Sequence, residues 1–419
     1  MVLAILIALV ILNKVLYKSY LNPIFLQSVL WLVYYWFLQS NIDEYDVYMR
    51  DVATLIVLQS IGFSIGGFVC LLFTRSSYIK TSQPAPIADL EQAYNNVNLL
   101  YPYVFAIIGA CLFGLLREGA SLSISGLSDI AAIRENLIED QGQKYGLYGI
   151  IQFLVCVYFL VYFVSKPKNE LKYWLLLFVF FVFTLVLNSK GGFLFFVAPL
   201  IYGLVWEKKV SPLYVLYGSI FITGLFVLIT LMRFNGADSE FLYYILLVYT
   251  ITSVPALVIG NKAASSPIIG YYTLRIPHLW LNKIGFSFAI PPVLAEFTAT
   301  PLGANTYSYM KPYFIDFGIV GVFVFPLLLG IVTNFIYFKA RSGRLPYIIL
   351  TSLMIYPLIM QIFDEHYFLW MSNWAYFTIV TLLLTVVKIY KKEVKSDLVS
   401  NVDDKQSLLQ NPFFKTENS

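Results

Sequence analysis

Hydrophobic residues run together along almost the whole chain, in stretches that are separated by short polar or basic connections. A helix needs about 20 consecutive apolar residues to cross the hydrocarbon core of a bilayer, and these stretches approach or reach that length. The pattern predicts eleven membrane-spanning helices and therefore an all-α polytopic integral membrane protein. The predicted spans lie near residues 2–17, 22–38, 52–74, 99–117, 147–165, 171–187, 191–206, 212–232, 314–338, 345–363 and 369–388.

The composition favours the same class of protein. Of the 419 residues, 59% are hydrophobic and 12% are charged, and the mean hydropathy is +0.74. An ordinary soluble domain has about 25% charged residues. The first apolar run has neither a basic flank nor a small-residue cleavage site, so it is expected to be a retained span and not a signal peptide.

Basic residues cluster in alternate connections between the predicted spans. Short loops rich in Lys and Arg face the cytoplasm, so this alternation predicts an external amino terminus and a cytoplasmic carboxyl tail. The chain then divides into a polytopic membrane domain, 1–390, and a polar tail, 391–419, that is predicted to be disordered. The basic connections contain Lys14/Lys18, Arg75/Lys80, Lys166/Lys168/Lys172, Lys208/Lys209 and Lys339/Arg341/Arg344.

One apolar segment, 241–260, does not fit the alternation. It is long enough to span, but a single crossing here would reverse the orientation of everything that follows. We interpret it as an interfacial or re-entrant helix on the external side. The alternative is a hairpin whose second arm lies near 284–300, where Pro291 and Pro292 argue against a regular helix.

Two connections on the predicted external side are long, 118–146 and 233–313. Long loops on a membrane scaffold usually carry function, and both are expected to contain interfacial helices. The sequence has two histidines, three widely spaced cysteines and no HExxH, Walker or GxSxG motif. Neither metal nor another cofactor is therefore expected, and nothing indicates a nucleic-acid partner.

Cationic side chains stand near span ends on the predicted external side. For each of them, the ordinary role is to reach the lipid phosphates, and the functional one is to bind the phosphate of a ligand. Lys190 is followed by two glycines that would let a ligand approach, and Arg134 has only apolar neighbours three and four residues away, where a helical ion-pair partner would stand. The set is Arg117, Arg134, Lys144, Lys190, Arg233, Lys262, Arg275, Lys283 and Lys311.

The segment 305–321 combines a cation, several aromatic rings and an acid at the start of an apolar run. Asp316 is placed to cap the helix that follows. Tyrosines at this depth usually form an interfacial belt, but aromatic faces also stack on sugar rings, and a lysine among them can hold a phosphate. The residues concerned are Asn305, Tyr307, Tyr309, Lys311, Tyr313, Phe314 and Asp316.

This segment resembles the bacterial oligosaccharide repeat unit polymerases, which are the O-antigen and capsule polymerases of the flippase-dependent pathway. Its position before the last three predicted spans and after a large external loop also fits that family. Lys190 stands where members more often have arginine. The resemblance is carried by Asn305-Thr306-Tyr307, Lys311-Pro312-Tyr313, Asp316-Phe317-Gly318 and Gly321, and more weakly by Asn188-Ser189-Lys190-Gly191 and Arg233.

The resemblance implies a multi-pass enzyme of the bacterial plasma membrane that acts on its outer face. A hydroxyl of one lipid-linked repeat unit would attack the anomeric carbon of a chain carried on undecaprenyl diphosphate, and the lipid diphosphate would leave. The same pathway would supply a flippase and a chain-length regulator as partners, besides the membrane lipids.

Under this resemblance, cations would stabilise the leaving diphosphate and a base would take the hydroxyl proton. Arg134, Lys190, Arg233, Arg275 and Lys311 are the candidate diphosphate ligands, with Arg233 also a candidate catalytic residue. Asp316, His278 and His366 are candidate bases, between which the sequence does not choose. Asn305, Tyr307, Tyr309 and Tyr313 are candidate sugar-binding residues.

Two other functions share these features. An O-antigen ligase, or another lipid-linked glycosyltransferase, would need the same chemistry and topology. A glycolipid flippase or transporter would also need many helices and external cations, but it would be expected to carry charges within its spans and often a repeated half. In this sequence the predicted spans are nearly free of charged residues, and no repeat is seen.

Overall fold

The computed structural model describes residues 1–41, 48–79, 87, 89–121, 143–165, 170–187, 190–206, 239–260, 268–291 and 307–389, with isolated positions between 217 and 231. Every regular element in these ranges that runs over several residues is a helix. The helices are α1 (Val2–Tyr17), α2 (Pro23–Ser40), α3 (Met49–Ile79), α4 (Leu90–Ser121), α5 (Gln143–Ser165), α6 (Leu171–Val186), α7 (Lys190–Trp206), α8 (Ser239–Ile251), α9 (Ser253–Gly260), α10 (Arg275–Lys283), α11 (Lys311–Arg341), α12 (Leu345–Leu353), α13 (Ile355–Met360) and α14 (Met371–Thr385).

Four helical segments are long and apolar enough to cross a membrane: Met49–Thr74, Leu90–Arg117, Gly146–Ser165 and Lys311–Arg341. Several shorter apolar helices accompany them, so the chain has the features of a helical membrane protein. Helices also occupy the other predicted spans that the structure describes, whereas only isolated positions of 212–232 are described. The predicted number of eleven spans is thus not confirmed.

The buried apolar residues form two large groups. The first group unites α1, α2, α3, α8, α9 and α11, and the second unites α4 to α7 with α12, α13 and α14. A smaller third cluster joins the two groups through the carboxyl-terminal halves of α7 and α11, where Tyr202 and Trp206 pack near Tyr337 and Ala340.

The long helices α3 and α11 pack against each other at very short range. A methyl group on Gly66 of α3 would collide with the carbonyl oxygen of Leu327, and one on Gly330 of α11 would collide with that of Phe63. Small residues allow such close backbone approach between membrane helices, where dispersion contacts replace the hydrophobic driving force. This contact fixes α11, which carries the segment that the sequence analysis singled out.

Buried amides and hydroxyls link the helices of the first group. Asn13 of α1 donates to the hydroxyls of Ser28 and Ser64, at 2.8 and 3.0 Å. Gln27 of α2 donates to Gln59 Oε1 of α3 at 2.8 Å. Polar side chains buried in apolar surroundings must be paired, so these bonds restrict how α1, α2 and α3 can be arranged.

The apolar segment 241–260 forms the two short helices α8 and α9, because the helical structure is interrupted at Thr252. Pro255 cannot donate a backbone hydrogen bond, and the break is held instead by Tyr34, whose hydroxyl donates to Ile251 O at 3.1 Å and accepts from Val254 N at 3.3 Å. Ser253 to Val258 are all buried, whereas an interfacial helix would leave one face uncovered. The hairpin alternative would need a second helical arm near 284–300. Residues 284–291, which follow α10, are not helical, and 292–300 lies outside the described residues.

Candidate functional site

The structure describes part of the predicted site. Arg134, Arg233 and Asn305 lie outside the described residues, and Lys190 is described only as the first residue of α7. The described candidates fall into two sets, one beside the turn between α13 and α14 and one beside the start of α10. The first set is Tyr307, Tyr309, Lys311, Tyr313 and His366, and the second is Arg275, His278 and Asp316.

Two tyrosines fix the segment that leads into α11. The Tyr309 hydroxyl donates to Gln59 Oε1 of α3 at 2.8 Å, and the Tyr313 hydroxyl donates to Glu365 Oε1 at 2.8 Å. Both side chains are fully buried, and the Tyr313 ring stacks on Phe325 with centroids 4.7 Å apart. In this structure their rings are packed against protein, so they position the segment.

Lys311, the first residue of α11, lies against an aromatic ring. Its Nζ atom is 3.5 Å from the centroid of the Tyr307 ring, a cation–π geometry that restricts a flexible side chain. Tyr307 is largely buried. The ammonium group is thus held near one position, which is what binding a phosphate requires.

The turn 361–370 lies against this segment. The Tyr309 amide donates to Gln361 O at 3.0 Å, and Gln361 Oε1 accepts from the indole of Trp31 at 2.9 Å. Ser308 Oγ also donates to Gln361 O, at 3.2 Å. These bonds connect α2, the start of α11 and the turn into one rigid arrangement.

Glu365 is the buried centre of the turn. Its Oε1 accepts from Tyr367 N and Phe368 N at 2.8 and 3.0 Å in addition to Tyr313, and its Oε2 accepts from Leu369 N at 2.7 Å. Burial raises the pKa of the Glu365 carboxyl, and the hydrogen bonds oppose that shift. The Glu365 carboxyl thus holds the turn together and ties it to α11 through Tyr313.

Asp364 is the next residue in the same turn, and its environment is different. It reaches the solvent-accessible surface, while its Oδ1 accepts from Glu365 N at 2.8 Å. Desolvation by the surrounding protein raises the pKa of Asp364 to about 7, although the Lys311 ammonium acts in the opposite direction. An accessible carboxyl therefore lies within the electrostatic reach of Lys311.

Of this turn, only His366 was among the candidate bases predicted from the sequence, and both carboxyls, Asp364 and Glu365, were missed. The available signal was the pair of acids directly before His366, in a chain with only 12% charged residues. His366 itself is buried between Tyr356 and Trp370, with ring centroids 5.2 and 4.3 Å away. Burial lowers the pKa of His366 to about 3, and neither ring nitrogen has a hydrogen-bond partner among the described residues.

The structure corrects the predicted role of Asp316. The helix α11 begins at Lys311, so Asp316 lies inside the helix and cannot cap its start. Its carboxylate instead accepts from Tyr272 N at 3.0 Å and Thr273 N at 2.7 Å, directly before α10. Asp316 thereby attaches the segment 268–283 to α11.

The attached segment presents the second set of candidates. Arg275, the first residue of α10, donates through Nε to Pro291 O at 3.2 Å, and burial lowers its pKa. His278 is buried and stacks on Phe288 with centroids 4.7 Å apart. Asp316 therefore brings Arg275 and His278 to the same helix that carries Lys311.

Within the described part of the chain, no group of three or more His, Cys, Asp or Glu residues is arranged to hold a metal ion. Comparisons with protein-family models, with curated proteins and with solved structures found no match.

Proposed function

We propose that the chain is an oligosaccharide repeat unit polymerase, which transfers a lipid-linked glycan chain to a new lipid-linked unit at the outer face of a bacterial plasma membrane. The observation that carries the proposal is the fixed ammonium of Lys311 on the Tyr307 ring, within electrostatic reach of the accessible carboxyl of Asp364. Glycosyl transfer from a lipid diphosphate needs a cation for the leaving group and a base for the attacking hydroxyl.

Negative charge develops on the diphosphate as its bond to the sugar breaks. A fixed cation in a poorly hydrated site stabilises that charge without having to reorganise, and each well-aimed group contributes about 3–4 kcal/mol. Lys311 has the required restraint, because the Tyr307 ring lies under its ammonium group. Arg275 is the second described candidate, and Arg134, Lys190 and Arg233 complete the proposed set.

The surrounding structure supports a role for this place in the fold. The segment 307–313 is joined to α3 and to the turn by hydrogen bonds from Ser308 Oγ, Tyr309 Oη, Tyr309 N and Tyr313 Oη. Sites that act on a ligand need such rigid support beneath the reacting groups. A purely interfacial tyrosine belt would not need the buried bonds to Gln59 and Glu365.

The test is elongation by purified protein in proteoliposomes that contain a lipid-linked repeat unit. We expect a ladder of products that differ by one repeat unit. The K311A variant should lose about 100- to 1,000-fold in rate, as expected for removal of one charge-stabilising donor, and K311R should retain more activity than K311A.

The matched control is K339A, because Lys339 lies in the last turn of the same helix and its ammonium is 5.4 Å from the Phe335 ring. It should elongate at the wild-type rate. Transfer of a single unit to another acceptor, without a ladder, would indicate a ligase. Movement of the intact glycolipid between leaflets without any new glycosidic bond would indicate a flippase.

A further inference from the structure

We infer that Asp364 is the catalytic base that takes the proton of the attacking sugar hydroxyl, an inference that rests on the proposed glycosyl transfer. The residue was not among the sequence candidates, and the structure assigns it by accessibility, by the way its turn is held and by the groups around it.

Accessibility distinguishes Asp364 from its neighbours. Asp364 is exposed, whereas Glu365, His366 and Tyr367 are all buried. A base must come within hydrogen-bond reach of the proton that it removes, and in this turn Asp364 meets that requirement without any rearrangement.

The turn holds Asp364 in place through the residue that follows. Glu365 is tied to Tyr313 and to three backbone amides, and its own amide donates to Asp364 Oδ1 at 2.8 Å. The Asp364 amide donates to Met360 O at 2.9 Å, at the end of α13. Within the described part of the chain, the other carboxylate oxygen, Oδ2, accepts no hydrogen bond and can face a substrate. Glu365 is thus a positioning residue for Asp364.

The other described candidates are engaged elsewhere. Asp316 accepts two backbone amides before α10, His278 is buried against Phe288, and His366 is enclosed by Tyr356 and Trp370. Each of them would have to leave its present packing or bonding to meet a sugar hydroxyl.

The proposed step conserves atoms and charge. The acceptor hydroxyl oxygen forms a bond to the anomeric carbon of the donor chain while the bond from that carbon to the diphosphate oxygen breaks. The electron pair of the broken bond leaves with the lipid diphosphate, next to Lys311. The hydroxyl proton passes to the Asp364 carboxylate and is then released to water.

The charges around Asp364 give the proposal a pH signature. Lys311 approaches from α11 and favours the carboxylate, while Glu365 on the same turn and desolvation favour the protonated form. His366 follows in the same turn, and burial lowers its pKa to about 3, so it stays neutral near pH 7. The pKa of Asp364 is raised to about 7, so the base is present above that pH and is lost below it.

The experiment measures elongation rate against pH for the wild type and for D364N, D364E and D51N in proteoliposomes. Asp51 is an exposed carboxylate in the first turn of α3 and is the matched control. We expect the wild-type rate to fall about tenfold per pH unit below pH 7. D364N should lose about 100- to 10,000-fold in kcat with little change in KM, D364E should retain measurable activity, and D51N should behave as the wild type.

If the wild type elongates but its rate does not fall as the pH drops below about 7, the assignment of Asp364 alone is overturned. This result needs no variant. So would a well-folded D364N protein that elongates within a few-fold of the wild type. A wild type that makes no ladder at any pH would instead overturn the proposed function, and the inference with it.

Discussion

At the residue scale, the candidate site contains charged groups that are restrained by neighbouring aromatic side chains. The ring of Tyr307 restrains Lys311, and the hydroxyl of Tyr313 restrains Glu365. The hydrogen bond from Tyr313 lowers the pKa of Glu365 against the larger upward effect of burial. Removing that one hydroxyl should therefore change both the stability of the turn and its dependence on pH.

We expect Y313F to lower the free energy of unfolding by about 1.5–3 kcal/mol, the usual contribution of a hydrogen bond to a charged group. A raised carboxyl pKa in the folded state means that stability is greatest at low pH and falls as pH rises through the folded pKa. Loss of the Tyr313 donor raises that pKa further, so the deficit of Y313F should widen with increasing pH. Thermal unfolding in detergent across pH 4–8 measures this.

Y20F is the matched control, because it removes the same hydroxyl oxygen from a largely exposed tyrosine between α1 and α2. An equal deficit for Y313F at every pH would show that the hydroxyl contributes packing but no charge-assisted bond to Glu365.

At the element scale, the helices could be predicted and their detailed relations could not. Long apolar runs indicate helices directly, because no other open structure satisfies backbone hydrogen bonds in lipid. The role of Asp316 depended on Tyr272 and Thr273, which lie more than forty positions away in sequence, and periodicity contains no information about such partners. The same applies to Glu365, whose acceptor role appears only when Tyr313 is brought beside it.

Gly318 shows how a short motif acquires a meaning only in three dimensions. It lies in Asp-Phe-Gly within α11, with φ 61° and ψ −149°, which interrupts the helical geometry between Asp316 and the rest of the helix. A side chain is strongly disfavoured in this conformation, which is essentially restricted to glycine. The interruption lies two residues after Asp316, whose carboxylate accepts from the segment before α10.

The contact between α3 and α11 gives the element-scale prediction. G66A should destabilise the protein by about 1–3 kcal/mol, since the added methyl group meets the backbone of Leu327 and must force the two helices apart. G109A in α4 is the control, because a methyl group there would have open space, and alanine favours helix over glycine by about 1 kcal/mol. Unfolding in mixed micelles compares the two. Equal stability changes would show that α3 and α11 do not pack this closely.

At the scale of the whole molecule, the turn 361–370 borders both large groups of helices. Its Gln361 and Glu365 bond to α2 and α11 of the first group, while His366 and Trp370 pack with Tyr356 beside the second. The third cluster, around Tyr202 and Tyr337, joins the groups near the opposite end of α11. After the interruption at Gly318, α11 continues to Arg341 and extends roughly 35 Å at about 1.5 Å per residue, which is enough to cross the ~30 Å hydrocarbon core of a bilayer.

That length and the distribution of basic loops together give a prediction for the orientation of the chain. We expect residue 284, just after α10, to lie outside the cell and residue 342, just after α11, to lie in the cytoplasm. Ile284 and Ser342 are both exposed, so I284C and S342C should react readily with a maleimide that can reach them. The native cysteines Cys70, Cys111 and Cys156 are buried and give a low background.

In intact spheroplasts an impermeant maleimide should label I284C and not S342C, and permeabilisation should make S342C reactive. Labelling of S342C before permeabilisation, with I284C protected, would place the Lys311 and Asp364 site on the cytoplasmic side. The proposed polymerisation at the outer face would then be wrong, whatever the chemistry of the site.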